Sequence, residues 1–208
     1  MPGRKLGEHT RDRILNVAAL LFAEKGYRAV TVAAIAAASG GNAALINYHF
    51  GSKAKLYQSV WRHAQEEAAR KFPVYGALAP NAPAVKRLYE IIAAAIRRRS
   101  DRSNCENALI LHELAAPTGL LRDVHATAVA DLRTALHQTL PEILGVNVPE
   151  REKQLAVLSI VSLCMIPVAR IQQMEGTPAY CYDTEERIRH VYHFAMAGLL
   201  DILTGGKS

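Results

Sequence analysis

The chain has 208 residues, half of them hydrophobic and 21% charged, which supports one or two domains with buried cores and excludes a disordered chain. No apolar run approaches the ~20 residues of a membrane span, and Cys105, Cys164 and Cys181, odd in number and without a CxxC pair, argue against a disulfide framework and against a thiolate zinc site. The net charge of +6 sits at one end: residues 1–72 hold 11 Lys/Arg against 5 Asp/Glu, whereas residues 73–208 hold 14 of each, so a polyanion, either nucleic acid or a membrane surface, is the expected partner of the first third alone.

In chain order, the start "MPGRKLGEHTRDR" lacks an apolar signal core, which predicts a cytoplasmic protein. "TRDRILNVAALLFAEKG" then has helical periodicity, with Ile14, Val17, Ala18, Leu21 and Phe22 on one face and Gly26 as the stop. "TVAAIAAASG" predicts a short helix capped by Thr31, with Val32, Ile35 and Ala36 facing inward. Gly40-Gly41 predicts a tight turn. Asn42 caps a third helix and Ser52 a fourth, whose apolar stripe is Leu56, Val60 and Trp61.

Past residue 72 the texture changes. "FPVYGALAPNAP" reads as a joint. Longer helices are predicted at about 83–100, 104–115, 118–140, 150–175 and 184–204. Ser103-x-x-Glu106 and Asp183-x-x-Glu186 resemble capping boxes, and Pro83, Pro117 and Pro149 stand near helix starts, where proline is tolerated. The run Arg97-Arg98-Arg99 is expected to form a solvated helix end, favoured by the dipole, rather than a second nucleic-acid patch. No period-2 strand stands out, so the fold class is all-α.

Helix, turn, short helix, Gly-containing turn and short helix within about 40 residues is the helix-turn-helix arrangement. The small residues of "AAIAAASGG" allow the paired helices to cross closely. "TRDRILNVAALLFAEKGYRAVTVAAIAAASG" followed by "INYHFGSKAKLY" resembles the TetR family of transcriptional regulators. The signature is F-A-E-K-G-Y, then T-V-x-x-I-A-x-x-x-G, then Y-H-F-x-S-K-x-x-L, and residues 10–57 match almost without interruption. "GNAALINYHFGSKAKLY" is similar to the branch typified by CecR. "LHELAAPTGLLRDV", "LSIVSLCMIPVARI" and "HFAMAGLLDIL" are weaker echoes of that branch.

The resemblance implies an N-terminal three-helix helix-turn-helix DNA-binding domain over residues 1–55, linked through a helix at 52–72. A helical ligand-binding and dimerisation domain over residues 73–208 would follow. It also implies that Thr31 caps its helix and donates to a phosphate, that Ala43 to His49 face the major groove, and that Lys53 contacts phosphate. The DNA-binding set is therefore Thr31, Asn42, Ala43, Ala44, Leu45, Asn47, Tyr48, His49 and Lys53. At Ala43, Ala44, Leu45 and Asn47 the chain departs from the common family pattern, so base preference does not transfer. Chemistry suggests that Asn47 contacts adenine bidentately, while Ala43, Ala44 or Leu45 pack on thymine methyls. Tyr48 and His49 are expected at phosphate or sugar. Ile46 reads as core, and Leu45 as core or contact equally. Charge would come from Lys53 and Lys55 after the helix and from Arg4, Lys5, Arg11 and Arg13 before the first helix.

For the C-terminal part the family implies a homodimer through helices at about 150–175 and 184–204, with Ser159, Ser162, Ala195 and Gly198 permitting close approach. Core packing within one chain is the competing use of that face. Candidate effector contacts are His112, Glu113, Met165 and Arg170, a few polar groups in apolar stretches. A buried Glu113–Arg170 pair would be a purely structural alternative. Pro167, mid-helix, either opens a pocket or curves the helix. His190 and His193 lie i, i+3 without a further ligand, and no catalytic motif, cofactor signature or metal site is evident. The function expected is a ligand-responsive regulator, a repressor that leaves a palindromic double-stranded operator when a small molecule binds. An architectural DNA-binding protein without an effector is the alternative.

Overall fold

Among the described residues every regular element is a helix. The computed structural model describes residues 2–79, 81–121, 126, 128–165 and 183–205, with residues 2–8 as backbone alone. Within them run α1 (Pro2–Ala29), α2 (Val32–Ala38), α3 (Ala43–Phe50), α4 (Lys53–Lys71), α5 (Ala84–Ser100), α6 (Cys105–Ala115), α7 (Ala130–Leu144), α8 (Glu150–Met165) and α9 (Thr184–Thr204). No helix among the described residues is long and apolar enough to cross a membrane. The all-α class expected from the periodicity is the one the chain adopts.

The chain divides into two units, Met1–Ala68 with Ser103–His125, and Ala69–Arg102 with Ala126–Ser208. In the first, α1 buries Ile14, Leu15, Ala18, Ala19 and Phe22, while Val17 and Leu21 are only half-buried. α2 contributes Ile35 and Ala36, α3 Ile46 and Phe50, and α4 Leu56, Tyr57, Val60 and Trp61. Each fully buried Ile, Leu or Phe contributes roughly 1.5–3 kcal/mol. α6 also packs on α1 in this unit, with Leu109 fully buried.

Helix starts follow local chemistry. Thr31 Oγ1 accepts from Ala34 N at 3.1 Å, Asn42 Oδ1 from Leu45 N at 3.0 Å and Ser52 Oγ from Lys55 N at 3.2 Å. Asp183 caps α9 as its box pattern predicts. At α6, however, the cap is Asn104, whose Oδ1 accepts from Glu106 N at 3.0 Å, and not Ser103. Either residue type can cap, and here the backbone turns into the helix one residue later.

In the second unit α5, α7, α8 and α9 enclose a core of Leu88, Ile91, Ile92, Ile96, Leu132, Leu136, Leu140, Val157, Ile160, Ile188, Val191 and Leu199. Three expectations need correction. First, Pro117 opens no helix: residues 117–121 are irregular because the Glu113 carboxylate takes both Thr118 donors, while Leu120 N donates back to Thr118 Oγ1 at 3.1 Å, a local turn that competes with helix formation. Of the helix expected at 118–140, residues 122–125 and 127 lie outside the described residues, 126 and 128 are helical, and α7 spans Ala130–Leu144, running past Pro141 to Gly145, whose φ is +74°. Second, the arginine run is not a solvated end. Arg97 pairs with Glu185 through two bonds of 2.8 and 2.9 Å, and Arg98 and Arg99 are only 9% and 8% exposed. Third, Ala195 faces the core, whereas Ser159, Ser162 and Gly198 are exposed. Residues 166–175 of the helix expected at 150–175, with Pro167, lie outside the described residues, as does Cys181.

Candidate nucleic-acid interface

The turn between α2 and α3 is fixed by a pair of backbone bonds. Gly41 N donates to Ala36 O at 3.0 Å and Gly40 N to Ala37 O at 3.3 Å, with Gly40 at φ +63°. This is the Schellman arrangement, and a left-handed residue is what it requires. α3 restarts immediately at the Asn42 cap, so two short helices are joined with almost no slack. Ile46 and Phe50 anchor the inner side of α3.

The helix periodicity then turns Ala43, Ala44, Asn47 and Tyr48 outward; all four are exposed, Tyr48 at 84%. Leu45 and His49 are half-buried, so Leu45 is shared between packing and surface, while Ile46 is core as expected. Asn42 uses its carbonyl oxygen as the cap and keeps its amide donors outward. Thr31, also exposed, accepts from Ala34 and so keeps its hydroxyl proton to donate. α3 offers an uncharged face of one carboxamide, one phenol and small apolar groups.

Cations flank that face. Lys53 opens α4, two residues after the Gly51 C-cap of α3. Its Nζ lies 4.2 Å from the centroid of the Tyr27 ring, and partial burial lowers the ammonium pKa from its ordinary value. The Arg11 guanidinium lies 5.2 Å from the centroid of Phe50, the last residue of α3. Lys55 and Arg13 are exposed. The side chains of Arg4 and Lys5 lie outside the described residues. Tyr27 and Phe50 were missed as participants by sequence reading. Aromatic residues beside basic ones were visible in the sequence, but which ring meets which cation depends on how α1 and α4 cross.

The candidate effector contacts fall elsewhere. In the first unit His112 Nε2 lies 3.0 Å from Ala23 O. Glu113, buried, accepts from Tyr57 Oη at 2.9 Å, Thr118 Oγ1 at 2.8 Å and Thr118 N at 3.1 Å. Both residues are thus engaged within the packing of that unit. Burial, strengthened by the carboxylate it bonds, pushes the Tyr57 phenol far above its ordinary pKa. Met165 belongs to the second unit, where it lines a cavity of about 20 Å³ with Val74, Ile91, Ala94, Leu132 and the two arginines Arg98 and Arg99. Arg170, and with it a Glu113–Arg170 pair, lies outside the described residues. The arginines were legible in principle: Ile91, Ala94, Ala95, Arg98 and Arg99 recur at helical spacing on one face of α5. Among the described residues no group of three or more His, Cys, Asp or Glu gathers in metal-binding fashion.

Comparison with known proteins agrees with this geometry. Residues 14–60 match the family described as bacterial regulatory proteins, tetR family. Residues 84–199 match the C-terminal domain of the HTH-type transcriptional dual regulator CecR. The HTH-type transcriptional repressor BdcR of Escherichia coli is 27% identical over 124 residues, and the match spans 60% of this chain and 61% of BdcR. A tetR-family transcriptional regulator from Streptomyces coelicolor has the same fold at a TM-score of 0.63 and 20% identity, covering 96% of this chain and 84% of that one. The fatty acid degradation regulator FadR from Bacillus halodurans does so at 0.65 and 17%, covering 91% and 96%. Two short helices locked by a glycine turn, an outward face on the second, and matches that run through both parts of the sequence have one common explanation: the chain belongs to the TetR family of regulators and is of the CecR type.

Proposed function

We propose that the protein is a homodimeric transcriptional repressor that binds a palindromic double-stranded operator through α3 and releases it when a small molecule occupies the C-terminal unit. The observation that carries this reading is the outward face of α3, exposed at Ala43, Ala44, Asn47 and Tyr48, with Lys53 opening the next helix and Arg11 over Phe50 at its end. Asn47 and the small apolar groups would read base edges, favouring A·T pairs. Thr31, Asn42, Tyr48, His49 and Lys53 would hold the phosphate backbone, which sets position and register. BdcR, a repressor by name, supports repression as the direction of control.

Dimerisation would use the surfaces of α8 and α9. Leu155 and Leu158 stand 46% and 61% exposed on α8, and Phe194 and Leu200 63% and 54% exposed on α9. Ser159 and Ser162 are exposed on the next turns of α8, and Gly198 is exposed between Phe194 and Leu200 on α9. Two recognition helices of such a dimer would enter major grooves roughly 34–36 Å apart.

The effector has two concavities of the second unit open to it. One is the small cavity beside Met165, Arg98 and Arg99, which has room for about one water and would have to widen. The other is a surface groove of about 290 Å³ between α5 and α9, lined by Leu78, Val85, Lys86, Tyr89, Glu90 and Tyr192. Linkage requires that a compound weakening DNA binding be bound more weakly by the DNA complex, by the same factor. The test is footprinting of the purified protein on DNA upstream of its own gene, with and without a compound panel. A protected palindrome that one compound clears is the expected result. Absence of protection at any salt concentration would sink the DNA reading, and protection that no compound alters would favour an architectural role.

A further inference from the structure

Lys53 occupies an awkward place for a cation. It is the first residue of α4, where the helix dipole presents partial positive charge, and no acidic residue stands in the first turn to offset it. No ion pair engages Lys53 among the described residues. What it has is the face of Tyr27, with Nζ 4.2 Å from the ring centroid. That ring is itself fixed. Tyr27 follows Gly26, whose non-helical backbone breaks α1 and aims it. Its centroid lies 4.9 Å from Tyr57 and 6.0 Å from Phe22, both fully buried.

We propose that Tyr27 is a positioning residue for DNA binding, its ring holding the Lys53 ammonium beside the end of the recognition helix with the charge intact for a backbone phosphate. A carboxylate in the same place would fix the side chain too, but it would neutralise the charge and compete with the phosphate. An aromatic face attracts the cation through its quadrupole and leaves the net charge and the outward N–H donors unspent. Arg11 too lies over a ring, 5.2 Å from the centroid of Phe50 at the same end of α3, although it is also 3.8 Å from Asp12 Oδ1. Lys53, at the end of an uncharged reading helix, is thus held by a ring rather than by a carboxylate.

The inference rests on Lys53 being a phosphate contact, and the experiment separates the two. Fluorescence anisotropy would follow the full chain on a labelled duplex of about 30 base pairs, recovered from random sequence by selection with the wild-type protein, over a KCl series. Lys53→Met should weaken binding and flatten the salt dependence; unchanged affinity would overturn the phosphate reading itself. Tyr27→Leu should weaken binding roughly two- to fivefold in the wild-type background and not at all in the Lys53→Met background. Tyr27→Phe, which keeps the ring, should bind like wild type. Equal losses for Tyr27→Leu in both backgrounds, or a Tyr27→Phe loss as large as that of Tyr27→Leu, would overturn the positioning role. Should Tyr27→Leu fail to fold, pentafluorophenylalanine at position 27 keeps the ring shape and reverses its quadrupole. Weakened binding is then expected, and binding equal to Tyr27→Phe would overturn the proposal.

Discussion

Gly26 has φ +74° and ψ 166°, a region that side chains with a Cβ essentially never adopt. A Cβ built there would also meet the His112 ring at 3.0 Å. Gly26→Ala therefore combines backbone strain with a clash against α6, and should destabilise the protein by about 1–3 kcal/mol, read as a lower midpoint in urea unfolding. A variant with an unchanged midpoint would mean that the α1 break can relocate. The residue scale is also where the sequence was most legible. Thr31, Asn42 and Ser52 were visible as caps because capping needs only a short polar side chain and the next three residues. Asn104 rather than Ser103 was not visible, because two adjacent residues satisfy the same local rule. Asn47, exposed in the middle of α3, carries the sharpest prediction for recognition. Asn47→Ala should relax preference at one base position per half-site by about 1–3 kcal/mol, measured by binding to a set of singly substituted duplexes. A uniform loss across all of them would make Asn47 a backbone contact.

At the scale of elements, α6 is held in the first unit by a small buried network. Tyr57 on α4 donates to Glu113 at 2.9 Å, and Thr118 supplies the other two donors. Periodicity indicates which residues of a helix share a face, but not which helix that face meets. Tyr57 and Glu113 stand 56 residues apart, so nothing local announces the bond, whereas Gly26, Gly40 and the apolar stripes announce the helices themselves. Tyr57→Phe should destabilise by about 1–3 kcal/mol, because it removes a donor from a buried carboxylate. The pH dependence has a definite sign. The phenol's pKa is raised in the folded state, so its contribution is complete below the ordinary tyrosine range near ~10 and is lost as the pH rises beyond it. The advantage of wild type over Tyr57→Phe, compared by chemical denaturation at several pH values, should be full at neutrality and shrink above about pH 10. A difference that grew there would contradict the assignment of the bond. In the second unit, burial pushes the Cys164 thiol up to about 12. Cys164 should accordingly resist iodoacetamide in the native protein and react after unfolding, as peptide mass mapping would show. Native-state labelling would mean that the α8 packing opens readily.

For the whole molecule the decisive question is how one uncharged recognition helix obtains enough affinity, and the proposed answer is duplication. Lys53 opens the helix after α3, Arg11 lies over Phe50 at its end, and Lys55 and Arg13 are exposed. If ~4–5 phosphates are neutralised per subunit, a dimer should show a log–log salt slope of about −7 to −9, and a monomer about half of that. Losing the second subunit also removes the gain in effective concentration that joins two half-sites. The exposed apolar residues of α8 and α9 are where such a dimer can be broken without touching the reading surface. Leu155, Leu158, Ser159 and Ser162 follow i, i+3, i+4, i+7 spacing and are all exposed on α8, and Phe194 is exposed on α9. The proposed dimer would cover these apolar side chains. Leu158→Glu combined with Phe194→Glu should give a folded monomer in sedimentation equilibrium, because both side chains point away from the core and little is lost within the subunit. On the same duplex its affinity should fall steeply and its salt slope should halve. A dimer that persisted would place the interface on another face. A monomer that kept the full slope would mean that each subunit neutralises about twice the expected number of phosphates, and the cations beyond α3 would then have to be counted as contacts.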